Sequence, residues 1–526
     1  MKRPLAIALG LAAVCAPPAH AGSPPMVLPG DARVAAVTAD PATWIVAARH
    51  GPAAARIARR FRARRVGSVG AHVVARHRAR AFAAALRRRG LLVFAEPNVL
   101  SRPRETGTDP LTAKAKWRPM VVEPGLEPPV VADTSPKLAL IDSKADVGHP
   151  EFVGGRIDSV GGRPVDDEHG TATVAVAAAP TNGRGIEGVW PGMFATNLAT
   201  DLSCGSIVRR IRAVVDGDYR VLNMSYGSDS ECFAESAELQ RATGTGLLLV
   251  AAAGNEFAEG NPLEYPASLP HVVTVAATDL KRRSSYFSNA NAAIDLSAPG
   301  ERIATAVPVA HDPDRDGNGY ALLDGTSFAS PIVAGAAAWV AAVRPRLSVD
   351  QLAQVLRLSA ADLGRSGWDQ HTGYGMLRVG AALRMKAPPT DPLEPNENIY
   401  WVNGAIFSNR DPIVYDGSPR RSAVRARLDQ YEDPADVYRV RFPRRSRTRI
   451  TVVPSYGDAD VAVFGGGARN TSGRALARSQ RSGRARDSVV IENRRGSVKR
   501  GFVEVYIDPA ASGLDSAYAL RFSRVR

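Results

Sequence analysis

Cysteine is scarce in this 526-residue chain, with only Cys15, Cys204 and Cys232 present, so one disulfide is the most it can form within itself. Beyond the first fifteen residues no long uncharged apolar run stands out, which sets aside a membrane-spanning chain. No internal repeat is present, which sets aside a solenoid. Acidic residues are few at the start: residues 22–105 hold sixteen arginines against Asp31, Asp40, Glu96 and Glu105. Residues 106–387 reverse the balance, with 25 basic and 32 acidic side chains, and residues 388–526 hold 24 basic and 16 acidic. The net charge of +15 therefore conceals an acidic centre. A basic block beside an acidic one reads as a pair of internal partners, and nucleic acid is set aside as a ligand. The composition, 45% hydrophobic and 23% charged, is that of a folded protein.

The N-terminus has the three parts of a secretory signal. Lys2 and Arg3 supply the charge, Leu5 to Val14 a short apolar stretch, and Ala19-His20-Ala21 a small-x-small cleavage site before Gly22. The segment around Cys15 lacks the leucine and small residue that precede a lipidated cysteine. A secreted product follows. Removing residues 1–21 leaves Cys204 and Cys232, and an even count in an oxidising compartment favours a bridge over two buried thiols. Such a loop closure contributes about 3 kcal/mol in the chain-entropy description.

Residues 22–105 read as a Pro-, Ala- and Gly-rich leader followed by a small βαββαβ unit of ferredoxin-like type. Its helices space Ile57 with Phe61 and Phe82 with Leu86 on single faces. Residues 98–136 contain little periodicity and read as a linker, then an extended arm. Residues 106–387 alternate buried strands with helical stretches, as a parallel α/β domain does. Ser348 is placed to cap a helix over 349–358. A second Pro-rich boundary at 388–400 leads into short strands separated by turns, the pattern of a β-sandwich over 388–526. The Arg/Ser/Gly stretch 467–486 reads as a mobile loop.

Acyl transfer by serine needs a nucleophile, a base and a group that orients the base. Asp142 ends the strand LALI, His169 opens HGTATVAVAAA, and Ser327 lies in GTSFASPIVAGAAAWV, a turn entering an apolar helix. Taken singly, each has a structural reading: a turn aspartate, a satisfied histidine, a helix N-cap. Together they form a candidate triad in the chain order Asp, His, Ser.

Five segments carry a more specific likeness. IDSKADVGHPEF, HGTATVAVAAAPTNGRGIEGVWPG, VLNMSYGS, VAAAGNE and DGTSFASP resemble, in order, the aspartate, histidine, substrate-strand, oxyanion and serine motifs of the subtilisin family, over roughly residues 108–385. The resemblance implies a three-layer α/β fold, peptide hydrolysis through an acyl-enzyme, polypeptide substrates, no required cofactor, and an oxyanion hole made by the Ser327 N–H and the Asn255 side chain. It also implies a substrate pocket walled by Ser225-Tyr226-Gly227 and Ala253-Gly254, rimmed by Glu256 and floored by Glu264. A carboxylate on that floor favours Arg or Lys before the scissile bond, with Tyr226 packing along the substrate's aliphatic stem. The N-terminal unit, ending in VFAEPN, resembles the family's inhibitory propeptide, a partner held within the same chain until self-cleavage between 100 and 118. Arg102 and Arg104 are the candidate cut sites. DPLEPNEN and DVYRVRF resemble β-sandwiches appended to secreted peptidases. The product is read as a monomer.

Two positions depart from the pattern: Lys144 stands where the aspartate motif has glycine, and Ala172 where the histidine motif often has a second histidine. The competing reading is a catalytically weak or inactive binding protein on the same fold. Asp312-Pro-Asp314-Arg-Asp316-Gly317 matches the front of a calcium loop, but Leu323 occupies the twelfth position, where glutamate is needed. It is read as a solvated loop, and no metal site is assigned.

Overall fold

The computed structural model describes residues 26–29, 39–67, 70–99, 102–103, 106–110, 116–315, 317–405, 410–508 and 515–525. Residues 1–21, expected to be a signal segment, lie with Cys15 outside the described residues, as do Arg104, Glu105 and Asp316.

The N-terminal unit is a four-stranded antiparallel sheet carrying two helices, Pro52–Arg60 and Arg76–Arg87. The strands lie in the order Arg64–Val66, Ala71–Ala75, Ala39–Ala48, Leu92–Val99. Period-two alternation in Trp44 to Ala47 splits the sheet's two faces. Trp44 and Val46 pack with Phe82 and Leu86 under the helices. Ile45 and Ala47 face the other way, with Phe94, onto Val208, Phe233 and Ala237 of the central domain.

The central domain is built on seven parallel strands: Leu296–Pro299, Val272–Thr278, Leu248–Ala252, Val221–Met224, Leu138–Asp142, Phe194–Ala199 and Arg156–Val160. Its central strands are apolar on both faces because helices cover both. Leu138 and Leu140 join the core under helices His169–Ala178 and Thr326–Val343. Ala139 and Ile141 join the opposite core under Cys204–Asp216 and Phe233–Gly244. The helix Thr326–Val343 corrects one expectation. Its 18 residues are long and apolar enough to cross a bilayer, yet 89% of that stretch is buried inside the domain. It is a core helix, the apolar helix expected after the Ser327 turn, and not a membrane span. Val349–Leu358 is closed by a capping box between Ser348 and Gln351.

Cys204 and Cys232 are joined in a disulfide that spans 28 positions. It ties the starts of the helices Cys204–Asp216 and Phe233–Gly244 together.

The C-terminal region forms two sheets over a shared core that includes Tyr438, Phe442, Ile450, Val463 and Leu520. One sheet has five strands and packs toward the central domain through Val437, Phe464 and Phe502. The other has four, in the order Ala423–Asp429, Asp515–Val525, Ser446–Tyr456, Asp487–Asn493. The stretch 467–486 is not loop throughout: Ala477–Ser479 is a strand paired with Val461–Val463. At the junction with the central domain, buried Arg357 lies 2.9 Å from Asp295 and 2.7 Å from Asp429 of the sandwich.

Candidate active site

The carboxyl ends of parallel strands are where a doubly wound domain gathers its functional groups. Asp142 is the last residue of Leu138–Asp142, and Asn255 follows Leu248–Ala252. His169 opens its helix and Ser327 is the second residue of Thr326–Val343. All three of Asp142, His169 and Ser327 are buried.

His169 Nδ1 lies 2.6 Å from Asp142 Oδ1. The other carboxylate oxygen, Oδ2, accepts from Thr173 Oγ1 at 3.0 Å, and Oδ1 also accepts the Ser143 N–H at 2.7 Å. Three donors thus fix the carboxylate, and the carboxylate fixes the ring. The His169 ring centroid lies 6.0 Å from that of Phe328, the residue after Ser327, so the imidazole stands at the serine turn. Ser327 Oγ donates to the Ser225 carbonyl at 3.3 Å, and Ser225 Oγ donates to the Ser327 carbonyl at 2.8 Å. That reciprocal pair binds the serine turn to the strand Tyr226–Gly227.

Asn255 is anchored by its oxygen: Oδ1 accepts from Thr326 N at 3.0 Å and Thr326 Oγ1 at 2.9 Å. Its Nδ2 is buried without a hydrogen-bond partner among the described residues. A buried N–H without an acceptor is costly unless something arrives to take it. The amide is held one residue from the serine with its donor end unspent.

Lys144 is turned away from Asp142. Its ammonium donates to the carbonyls of Ser159 at 3.1 Å and Gly161 at 3.2 Å. Ala172 is fully buried, and its carbonyl accepts from Thr305 Oγ1 at 2.8 Å. Both departures from the motif are absorbed by packing.

Gly254 sits between two carboxylate side chains. A Cβ added there would meet Glu264 Cγ at 2.7 Å and Glu256 Oε2 at 3.0 Å. Glu264 is buried, and Glu256 Oε2 accepts the Asn255 N–H at 2.8 Å. Ala253 is buried beside them. Tyr226 differs from expectation. Its ring lies in the core with Ile141 and Leu198, and its hydroxyl donates to buried Glu235 at 3.0 Å. The residue meets the cleft through its backbone, because the ring has a better apolar partner beneath.

That backbone is already paired. Arg102–Pro103 runs antiparallel to it, with Gly227 opposite Arg102 and Tyr226 opposite Pro103. Thr106–Pro110 then joins the strand Tyr320–Asp324, with Thr106 opposite Asp324, three residues before Ser327. The chain's own segment lies across the site. Two side chains of the preceding strand hold it there. Glu96 accepts from the N–H groups of Phe233 and Ala234, and Asn98 Oδ1 from that of Gly205 at 2.8 Å. Both contacts use the free N–H groups of a helix's first turn. Thr173, Thr326 and these two anchors were missed in the sequence. Thr173 has a signal, standing four residues after His169 and so on the same helix face; the anchors have none, since they act across domains.

For a cation, the best-placed groups lie elsewhere. His271, Glu394, Glu397 and Asp433 offer ligand atoms within 4.8 Å of one another at the junction with the sandwich. Asp391, Glu394 and Asp436 do the same beside them. Burial, then repulsion from Asp436, pushes Asp391 up to about 9. Burial also raises Asp436 to about 6. The loop at Asp312 is not among these groups, and Asp312 Oδ2 accepts the Gly319 N–H at 3.3 Å.

Comparison with known proteins agrees with this geometry. The family model described as "Subtilase family" matches residues 133–375. Subtilisin DY of Bacillus licheniformis is 33% identical over 259 residues, which cover 47% of this chain and 90% of that protein. Subtilisin E of Bacillus subtilis is 32% identical over 260 residues, covering 47% of this chain and 65% of that protein. The crystal structure of fervidolysin from Fervidobacterium pennivorans, described as a keratinolytic enzyme related to subtilisin, superposes with a TM-score of 0.57 at 16% identity. It covers 92% of each chain and shows the shared fold. With an aspartate, a histidine, a serine and an anchored asparagine gathered at the ends of a parallel sheet, the chain belongs to the subtilase family and is a serine endopeptidase.

Proposed function

We propose that this chain is a secreted precursor that cuts itself between residues 100 and 118, with Arg102 and Arg104 the candidate cut sites, and thereafter cleaves polypeptides after arginine or lysine. Its parts are a signal peptide 1–21, an inhibitory propeptide 22–105, a peptidase domain 106–387 and a C-terminal β-sandwich 388–526. The observation that carries the reading is the antiparallel pairing of Arg102–Pro103 with Tyr226–Gly227, followed by the pairing of Thr106 with Asp324. The chain enters beside the substrate strand and leaves beside the strand that precedes Ser327.

In the mechanism, Asp142 orients His169 through Nδ1 and stabilises the imidazolium. His169 Nε2 takes the Ser327 proton as Oγ attacks the carbonyl carbon. The new oxyanion is met by the Asn255 Nδ2–H and the Ser327 N–H at a helix start, where the dipole favours negative charge. His169 returns the proton to the leaving amine, and water hydrolyses the acyl-enzyme by the same steps in reverse order. Glu264 and Glu256 beside Gly254 support the basic preference, because carboxylates lining a pocket form charge-assisted hydrogen bonds with a guanidinium or ammonium. Arg104 is itself such a residue.

N-terminal sequencing of the secreted wild type beside Ser327→Ala tests this reading. The wild type should begin within residues 101–118 and the variant should retain residue 22 as its first. Cleavage of Ser327→Ala at the same bond in a protease-free host would show that another enzyme performs it.

A further inference from the structure

The outer face of the four-stranded C-terminal sheet carries a feature that peptide hydrolysis does not use. Within each strand alternate residues point outward. Arg425, Arg521, Arg449 and Arg447 are all exposed and all on the outward parity. The register fixes their relative places. Arg425 lies opposite Ala519, two residues from Arg521 on the next strand. Arg521 lies opposite Thr451, two residues from Arg449 on the strand after. Arg449 is followed by Arg447, one outward position further along the same strand. The four therefore form a diagonal stripe across three adjacent strands, each step spanning about 7–8 Å.

What lies between them is small: Ala423, Ala519, Thr451 and Ser523 hold the other outward positions along the stripe. A chain laid on the face meets no obstruction. Arg445 and Arg495 are exposed at the end of the sandwich, where the Arg445 N–H donates to the Arg495 carbonyl at 3.1 Å. Glu492 lies opposite Arg447 at the end of the stripe and is also held by Arg494 at 3.0 Å, while Asp429, bound to Arg357, and Asp515 sit at the opposite end by the peptidase domain. The exposed aromatic Tyr456 also lies at that opposite end, opposite Ala517.

From this arrangement we infer that the sandwich binds a linear acidic polysaccharide along the arginine stripe. Arginine forks match carboxylate and sulfate groups two bonds at a time, and a diagonal row reads a repeating anionic chain. No aromatic side chain stands along the row to stack a base, as single-stranded nucleic acid requires. One end of this face meets the peptidase domain, where Arg427, on the same parity as Arg425, pairs with Asp350 at 3.1 Å; the stripe runs from there toward Arg447, so a bound polymer holds the enzyme on an acidic matrix.

The test uses the full chain in the Ser327→Ala background, which retains the N-terminal unit, and two probes, polygalacturonate and a highly sulfated glycosaminoglycan, with duplex DNA and anionic phospholipid vesicles beside them. One variant replaces Arg425, Arg447, Arg449 and Arg521 with threonine. A charge-matched control replaces Arg59, Arg60, Arg87 and Arg88 of the N-terminal unit. The stripe variant should lose about tenfold or more in affinity for both polysaccharides, and its salt slope should fall by about three if each arginine releases close to one counterion. The control should bind as wild type does, and thermal melts should match. Equal losses in the two variants would overturn the inference. So would binding of DNA or vesicles by the wild type as tight as that of either polysaccharide.

Discussion

Glu96 holds the backbone N–H of Phe233 at 2.6 Å, so a strand of the N-terminal unit closes the start of a helix in the peptidase domain. The carboxylate is buried, and burial raises its pKa well above the usual range despite the two N–H donors; nearby Glu231 and Glu235 raise it further. Docking therefore binds a proton. A group whose pKa is higher docked than free stabilises the docked state fully below its free value, and that stabilisation is lost as pH rises through the docked value. Added in trans to the mature enzyme, the isolated propeptide should inhibit less well as pH rises from 5 to 9. Glu96→Gln should flatten that dependence. An inhibition constant that improves with pH in the wild type would contradict this account.

Asn255 should act in the transition state rather than in substrate binding. Asn255→Ala removes the Nδ2 donor of an amide whose Oδ1 is held by Thr326, and should lower kcat by about 10²–10³ with KM changed little. Steady-state kinetics on a peptide substrate decide this. A raised KM at unchanged kcat would reassign the residue to ground-state binding.

Glu264 should set the preference for a basic side chain. A peptide-library digest with wild type should show cleavage after Arg and Lys above Phe and Leu, and Glu264→Gly should lose that order. Equal cleavage after Phe in the wild type, or an unchanged Arg preference in the variant, would remove Glu264 from the specificity pocket.

The acidic junction should give stability a pH signature. With Asp391 raised to about 9 and Asp436 to about 6, ionisation opposes the folded junction. The stabilisation from keeping them protonated is complete below about pH 4, the ordinary aspartate range, and declines as pH rises toward 9. With divalent ions chelated, Tm should fall between pH 5 and 9, and Asp391→Asn should melt higher than wild type at pH 9. A variant that melts lower at pH 9 would mean that the Asp391 charge is used in the folded state.

The sequence made the chemistry more legible than the framework around it. Asp142, His169, Ser327 and Asn255 stood out because each sits in a motif whose neighbours are small or apolar for a local reason, such as a strand end or a helix start. The helix Val349–Leu358 was legible from its cap and spacing alone. The strands Arg156–Val160 and Phe194–Ala199 were not. The first is an edge strand with alternating exposure, and the second mixes threonine and asparagine among its apolar residues. Asn197 is polar because its side chain serves a distant loop, accepting from Ala145 N and donating to the Ser143 carbonyl. The roles of Glu96, Asn98 and Lys144 are likewise set by partners far along the chain, which no local pattern reveals. Tyr226 read as a cleft residue because its backbone is one, while its ring answers to the core.

Covalent labelling with a fluorophosphonate probe bears most directly on the claim that Ser327, driven by His169 and Asp142, performs peptide hydrolysis. After reaction of the mature wild type and digestion, the label should sit on the peptide carrying Ser327. Labelling should be absent from Ser327→Ala and sharply reduced in His169→Ala. Mature wild-type protein that stays unlabelled at Ser327 would contradict the catalytic assignment and leave the fold without its proposed chemistry.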